Sequence, residues 1–226
     1  MAISDRKKRE KEQRRQSIID AAEKLFFEKG YDNVTMNDIA KEVELNRATI
    51  YLYFENKEAV CFAVILRGVS LLNKMVKDNV RKAIDNQSIK AMGRTYYTFF
   101  QVYPHYFQVY TLFQSGRFEL IGLRAQAFRD VREIIRLQKE IFELLHLHIK
   151  DGIKKGSYRM NVDGIKREGL RQDIDSFYAT CLVISTIESM LNPPPVLEKE
   201  LKDRDISKYQ FEAVLMHFVN RLLRDS

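Results

Sequence analysis

Glycine and proline are scarce in this 226-residue chain, at 9 and 4. The β-branched residues do not alternate with polar ones. Both facts argue against sheet and hairpin architectures and make long helices the default. Cysteine is scarcer still: Cys61 and Cys181 stand far apart without Cys-x-x-Cys spacing. No neighbouring motif activates either, so the expected state is two reduced, buried thiols in a cytoplasmic protein. No apolar run reaches the ~18 residues needed to cross a bilayer. The N-terminus, Met-Ala-Ile-Ser-Asp-Arg-Lys-Lys-Arg, has no apolar core and is not a signal peptide, so no membrane is expected. Of the histidines His105, His146, His148 and His217, only His146 and His148 are close. Residues two apart diverge on a helix, so no metal is expected. A Ser/His/Asp set and a phosphate-binding glycine loop are also lacking. Asp173 and Asp175 read as helix-start charges. Neither catalytic residues nor a cofactor are expected, and the chain is not read as an enzyme.

What is present is apolar bulk and basic charge. The chain is 45% hydrophobic and 31% charged, enough for a sizeable core in a soluble protein. Its net charge of +7 and sequence pI of about 9.3 suit a polyanionic partner. Residues 1–15 carry seven basic residues (Arg6, Lys7, Lys8, Arg9, Lys11, Arg14, Arg15) against Asp5, Glu10 and Glu12, a net of +4. This arm, placed at residues 1–13, either reaches phosphates beside a main contact or is a solvated, frayed terminus.

Apolar spacing predicts a first helix from about Lys11 to Lys29, with Ile18, Ala22, Leu25 and Phe26 on one stripe. Gly30 suits its C-terminal end. Thr35, with Asp38 three residues on, forms a capping-box pattern ahead of a second helix with Met36, Ile39, Ala40 and Val43 on its inner side. Glu44-Leu45-Asn46 is a turn. A short third helix follows from Arg47 to about Tyr53, with Ile50 and Phe54 inward and Arg47, Thr49, Tyr51 and Tyr53 partly outward. Asn56 caps a long fourth helix from Lys57. Two short helices across a tight turn, the second aromatic and basic, outline a helix-turn-helix over about residues 35–54.

Ile-Ile-Asp-Ala-Ala-Glu-Lys-Leu-Phe (18–26), Gly30-Tyr31, Val34-Thr35, Asp38-Ile39-Ala40 and Ala48-Thr49-Ile50-Tyr51-Leu52-Tyr53-Phe54 with Lys57-Glu58 resemble the DNA-binding domain of TetR-family transcription regulators. The likeness spans residues 14–60; beyond them it is architectural. It implies an all-α fold of about nine helices. Residues 14–57 would be the DNA-binding domain, and residues 58–226 a helical regulatory and dimerisation domain. It further implies a dimeric, ligand-responsive repressor on a palindromic operator in double-stranded DNA. The competing readings are an activator with the same head and a non-enzymatic helical adaptor.

Residue chemistry supports the first reading. Thr35 offers a hydroxyl and helix-start N–H groups to a phosphate. Arg47 can meet guanine or grip a phosphate, and Thr49 can meet a base edge or a thymine methyl. The resemblance makes Tyr51 a phosphate contact, and Tyr53 can reach phosphate too. Lys57 adds its charge to a helix start. Residues 1–57 are nearly neutral, at +1, so local arrangement must supply the attraction.

Further on, helices are expected at about 89–103, 105–115, 123–155, 171–191 and 207–224, with a polar loop at Ser157–Gly169 and a stop at Asn192-Pro193-Pro194-Pro195. Phe177, Cys181 and Ile184 share a face, as do Phe211, Leu215, Phe218 and Leu222. These are core or, as the resemblance implies, a two-fold dimer interface. Ten aromatics crowd residues 96–118. Among them Tyr96, Phe100, Tyr103, Phe107, Tyr110 and Phe113 are candidates to line a pocket for an apolar or aromatic effector, with plain core as the alternative.

Overall fold

A computed structural model of the protein describes residues 2–83, 87–156, 172–191 and 194–207, together with 210, 211, 213 and 214. Among the described residues there are nine α-helices and no strand. They are α1 (Ala2–Lys29), α2 (Met36–Glu42), α3 (Arg47–Tyr51), α4 (Lys57–Lys82), α5 (Ser88–Val102), α6 (Pro104–Gln114), α7 (Ala125–Lys154), α8 (Gln172–Leu191) and α9 (Pro195–Asp203). The all-α fold read from the scarcity of glycine and proline is the fold observed.

Expectations about α1, α9 and α4 need correction. First, α1 begins at Ala2, not near Lys11. Residues 2–15 contain no glycine or proline and are dominated by good helix formers. Local pairs such as Arg6 Nε to Glu10 Oε1 at 2.8 Å and Gln16 Nε2 to Glu12 Oε1 at 2.7 Å carry the helix outward. Second, the proline run is not only a stop: Pro195 opens α9. A proline at the first helical position loses no hydrogen bond and arrives with its φ preset. Third, α4 is long and apolar enough in composition to cross a membrane, contrary to the run-length expectation, but 67% of that stretch is buried within the protein. That burial is what a core helix requires.

The predicted last helix starts where expected. Ser207 N donates to Gln210 Oε1 at 2.8 Å and Gln210 N to Ser207 Oγ at 3.2 Å, a reciprocal cap. Most of that helix, including Leu215, His217, Phe218 and Leu222, lies outside the described residues, as does the predicted loop at Ser157–Gly169.

The chain forms two compact units. The first comprises Met1–Leu71 and Val102–Leu137. Its core holds Ile18, Leu25 and Phe26 of α1, Ile39 of α2, Ile50 of α3, Val60, Phe62 and Ile65 of α4, and Ile134 of α7, all buried. Phe118 meets Tyr31 and Phe62 edge-on, at centroid distances of 5.4 and 5.2 Å. The second unit comprises Leu72–Gln101 and Gln138–Ser226. Val76, Val80, Met92, Phe99, Leu145, Ile149, Ala179 and Val183 are buried in it. The buried Thr95 hydroxyl accepts from Asn79 Nδ2 at 2.9 Å, and the half-buried Lys77 Nζ meets Glu140 Oε2 at 2.6 Å. His146 turns to Thr180 and His148 to the Leu144 carbonyl, so the two diverge as their spacing requires.

On α8, Ala179, Thr180, Val183 and Ile187 are buried, leaving Phe177, Tyr178 and Leu182 exposed on the other side. Of the proposed interface residues, Phe177 is exposed and Cys181, Ile184 and Phe211 are half-buried. Cys61 is buried, but Cys181 is not, a correction to the expectation of two buried thiols.

Candidate nucleic-acid interface

Gly30 closes α1 with φ 76° and donates its N–H to the Phe26 carbonyl at 3.0 Å, the left-handed terminus that glycine adopts without steric cost. The chain then turns through Tyr31 into the cap of α2. Thr35 and Asp38 form the full capping box. Asp38 N donates to Thr35 Oγ1 at 3.2 Å, Thr35 N to Asp38 Oδ2 at 2.8 Å, and the Thr35 hydroxyl to the same carboxylate at 2.6 Å. The Thr35 side chain and backbone N–H together hold the Asp38 carboxyl below the usual carboxylate range.

This modifies the role expected of Thr35. Its hydroxyl proton and N–H are committed to Asp38. Helix geometry instead leaves the next amides, of Met36 and Asn37, without intrahelical acceptors. Asn37 was not visible as a candidate in the sequence; its signal is its place two residues after the cap.

Between α2 and α3 the backbone turns at Glu44, whose φ of 54° lies in the left-handed region. A non-glycine residue there is strained by about 1 kcal/mol. Asn46 caps α3, its Oδ1 accepting from Thr49 N and Thr49 Oγ1, both at 2.8 Å. The Thr49 hydroxyl proton is therefore used locally, and its methyl group is what it can offer a base. Ile50 and Phe54 are buried and fix the inner face. α3 ends at Tyr51, two residues earlier than expected, with Leu52 as its C-cap. Leu52 is 77% exposed. The i, i+2 offset from buried Ile50 could have flagged it as outward-facing.

Arg47 is exposed and lies over the Tyr51 ring, 5.5 Å from its centroid, with Nη2 3.4 Å from the hydroxyl. Lys57 opens α4. Its Nζ donates to the Tyr31 carbonyl at 3.0 Å and sits 4.2 Å from the Tyr31 ring centroid. Tyr31 is buried, and its hydroxyl donates to Glu58 Oε1 at 3.1 Å. Burial, reinforced by the Glu58 charge, pushes that phenol far up, so it stays neutral. The sequence distance between Tyr31 and Lys57 thus closes into a single anchored cation.

The structure brings most of the predicted contacts together. Thr35, Arg47, Tyr51 and Lys57, with Val34, Met36 and Asn37, line one open recess of about 300 Å³. Thr49 and Tyr53 lie outside it. Tyr53 lines a neighbouring recess with Leu52, Arg124, Gln126 and Arg129. Arg124 and Arg129 add positive charge near the end of α3 that a reading confined to residues 1–57 misses. Arg124 is held by Glu55, which accepts from its backbone N–H at 3.0 Å and faces its Nε at 3.2 Å. The six pocket candidates part between the compact units: Tyr96 and Phe100 fall in the second, and Tyr103, Phe107, Tyr110 and Phe113 in the first. Phe113 packs edge-on to Phe62 at 6.1 Å. Among the described residues no cluster of three His, Cys, Asp or Glu side chains is placed to hold a metal.

Residues 18–64 match the family of bacterial regulatory proteins, tetR family. Over 125 residues the chain is 32% identical to the biofilm operon icaADBC HTH-type negative transcriptional regulator IcaR of Staphylococcus aureus, covering 55% of this chain and 65% of that protein. It therefore spans just under two thirds of the length of that relative. Among solved structures, a TetR/AcrR-family transcriptional regulator from Thermobifida fusca superposes with a TM-score of 0.66 at 21% identity, over 94% of this chain and all of that one. FadR from Bacillus subtilis, solved in complex with stearoyl-CoA, gives 0.58 at 19% identity, over 92% and 97% of the two chains. At these identities the structural likeness shows the fold alone.

Proposed function

We propose that this protein, whose head belongs to the tetR family of bacterial regulatory proteins, is a sequence-specific DNA-binding transcription regulator. The observation that carries the reading is the shared recess of Thr35, Arg47, Tyr51 and Lys57 on the outer side of α2 and α3. In it the start of one helix, a cation on an aromatic ring and an anchored lysine face the same way. Arg47 reads or grips DNA from the start of α3, with Tyr51 holding the guanidinium in place. Thr49 meets a base through its methyl. Lys57 and Tyr53 take phosphates, and the α2 start beside Thr35 takes another. Such a division, with phosphate contacts positioning and base contacts specifying, is how a helix-turn-helix reads a major groove.

The protein acts as a homodimer on a palindromic operator in double-stranded DNA, inside the cytoplasm, through the exposed face of α8 and the C-terminal residues Phe211, Leu215, Phe218 and Leu222. Two heads related by a two-fold axis then meet half-sites about one helical turn apart. The regulator is a repressor, as the name of its Staphylococcus aureus relative states for that protein. Its effector is a small molecule, apolar or aromatic, met by members of the aromatic block. The stearoyl-CoA bound by FadR is an example of such apolar chemistry. Effector binding favours a state in which the two recognition helices no longer match successive grooves. The role is regulation, not catalysis.

The test is footprinting on the DNA upstream of its own gene, which should show protection with two-fold symmetry. Arg47→Ala should weaken binding and relax sequence preference, costing about 1–3 kcal/mol if Arg47 reads a base, whereas Lys57→Ala should weaken binding equally across sequences. A weak shift that ignores sequence would point to the helical adaptor instead. Equal affinity of wild type and Arg47→Ala would remove Arg47 from the interface.

A further inference from the structure

The inner face of α1 does not end where the core ends. Over residues 18–26 that face is Ile18, Ala22, Leu25 and Phe26, all buried. Continued toward the N-terminus at the same helical spacing, it becomes Arg15, Arg14, Lys11 and Lys7, with Lys8 alongside. Lys7, Lys8, Lys11 and Arg14 are exposed. Asp5, Glu10 and Glu12 lie off this stripe, and two of them are held locally: Glu10 by Arg6, and Glu12 by Gln16. Among the described residues, Lys7, Lys8, Lys11 and Arg14 hold no carboxylate. The face that would bury apolar groups if protein lay beneath it is uniformly basic where none does.

The base of the stripe is fixed against the end of α3. Arg15 is half-buried, its Nη2 2.9 Å from Asp130 Oδ2 and its guanidinium carbon 5.2 Å from the centroid of Phe54. Phe54 follows Tyr53 at the close of the helix-turn-helix. The arm therefore leaves the body beside the recognition helix, already folded. From Arg15 to Lys7 it extends about 12 Å at 1.5 Å per residue. Duplex DNA carries one charge per about 1.7 Å of axis, so that length lies along several phosphates.

The geometry points to a second DNA contact: the basic face of residues 7–14 grips the phosphate backbone flanking the site read by α3. It rests on the DNA-binding reading above and adds to it a sequence-independent, salt-sensitive hold built from a helix. A preformed helix gives these side chains a common direction without the ordering cost of a disordered tail.

The experiment is a salt titration of binding to the footprinted duplex, comparing wild type with the full-length variant Lys7→Gln/Lys11→Gln/Arg14→Gln and with the off-stripe control Arg6→Gln/Arg9→Gln. Each phosphate contact contributes about 0.9 to the slope of log K against log salt. The stripe variant should lower the slope by about 2–3, weaken binding to an unrelated duplex as well, and leave the footprint sequence unchanged. The control should change the slope by less than about one. Circular dichroism should show the stripe variant as helical as wild type. A wild-type slope in the stripe variant overturns the proposal. So does an equal loss per charge in the control, which would mean that overall charge, not this face, matters. A stripe variant with unchanged DNA binding that no longer adsorbs to phosphatidylserine vesicles would assign the face to a membrane surface instead. If wild type binds no duplex, the reading beneath the proposal fails with it. If wild type binds and the stripe variant binds identically, only the arm contact fails.

Discussion

Arg15 stands where α1 passes from solvated arm to packed core, and its environment makes it a structural residue. Its side chain bridges to Asp130, which is 4% exposed, and covers the ring of Phe54. Burial raises the Asp130 carboxyl above its ordinary value, opposed by the Arg15 charge. Removing the arginine takes away the direct charge partner of a buried carboxylate and leaves it the Gln126 Nε2 hydrogen bond at 2.8 Å and the more distant Arg129 charge, a cost of up to about 3–5 kcal/mol. Arg15→Met should therefore lower the stability of the first unit sharply at neutral pH. A carboxyl with a raised folded value is a burden when charged and none once protonated, so the deficit should shrink as pH falls into the mildly acidic range. Urea denaturation of the variant at both pH values checks this. Adding Asp130→Leu should recover most of the loss at neutral pH, because no buried charge then remains. The sequence showed Arg15 only as one of seven basic residues near the N-terminus; its partner stands 115 positions away.

At the scale of elements, α4 and α6 approach so closely that one position must lack a side chain. A Cβ added to Gly68 would lie 2.6 Å from Tyr106 Cδ1 and 2.8 Å from Cγ. Tyr106 cannot swing aside cheaply. Its hydroxyl donates to Glu23 Oε2 at 2.8 Å and its ring meets Phe27 edge-on at 5.1 Å. Glu23 also takes Arg67 Nη1 at 2.9 Å, while Asp20 holds Arg67 Nη2 at 2.7 Å. Burial works against the Arg67 charge, but Asp20 and Glu23 outweigh it and hold the guanidinium firmly ionised. Gly68→Ala should thus destabilise by about 1–3 kcal/mol through overpacking, although alanine is the better helix former by about 1 kcal/mol. Thermal melts of Gly68→Ala alone and with Tyr106→Ser check this. The second change should restore stability relative to Tyr106→Ser by itself. Sequence spacing showed α4 and α6 as helices, and capping chemistry located the starts of α2 and α4, since those signals are local. The glycine in α4 carried no such signal, because its reason is a residue 38 positions on in another helix.

At the scale of the molecule, the proposed dimer rests on an apolar face of α8 that is exposed among the described residues. Phe177, Tyr178 and Leu182 are 47%, 53% and 52% exposed on α8, opposite its buried Ala179, Val183 and Ile187. A run of large apolar groups on one helix face signals a partner surface. Phe177→Asp/Leu182→Asp should convert the protein to a monomer in sedimentation and remove the two-fold symmetry of the footprint, while leaving the helical content unchanged. A wild-type chain that sediments as a monomer at micromolar concentration would refute the dimer directly.

The sequence by itself determined helices α2 to α8 and the C-terminal part of α1, the capping box of Thr35 and Asp38 and the inward Ile50 and Phe54. These follow from periodicity and from contacts within a few residues, which any helix of this composition must make. Only the tertiary structure decided that Lys57 is anchored on Tyr31. It also placed residues 102–137 in the same compact unit as the head, paired the half-buried Arg15 with the buried Asp130, and set Lys7, Lys11 and Arg14 of the basic arm in line with the core-facing stripe of α1. Each of these depends on side chains distant in the chain or on which face of a helix finds protein beneath it, and packing alone sets that.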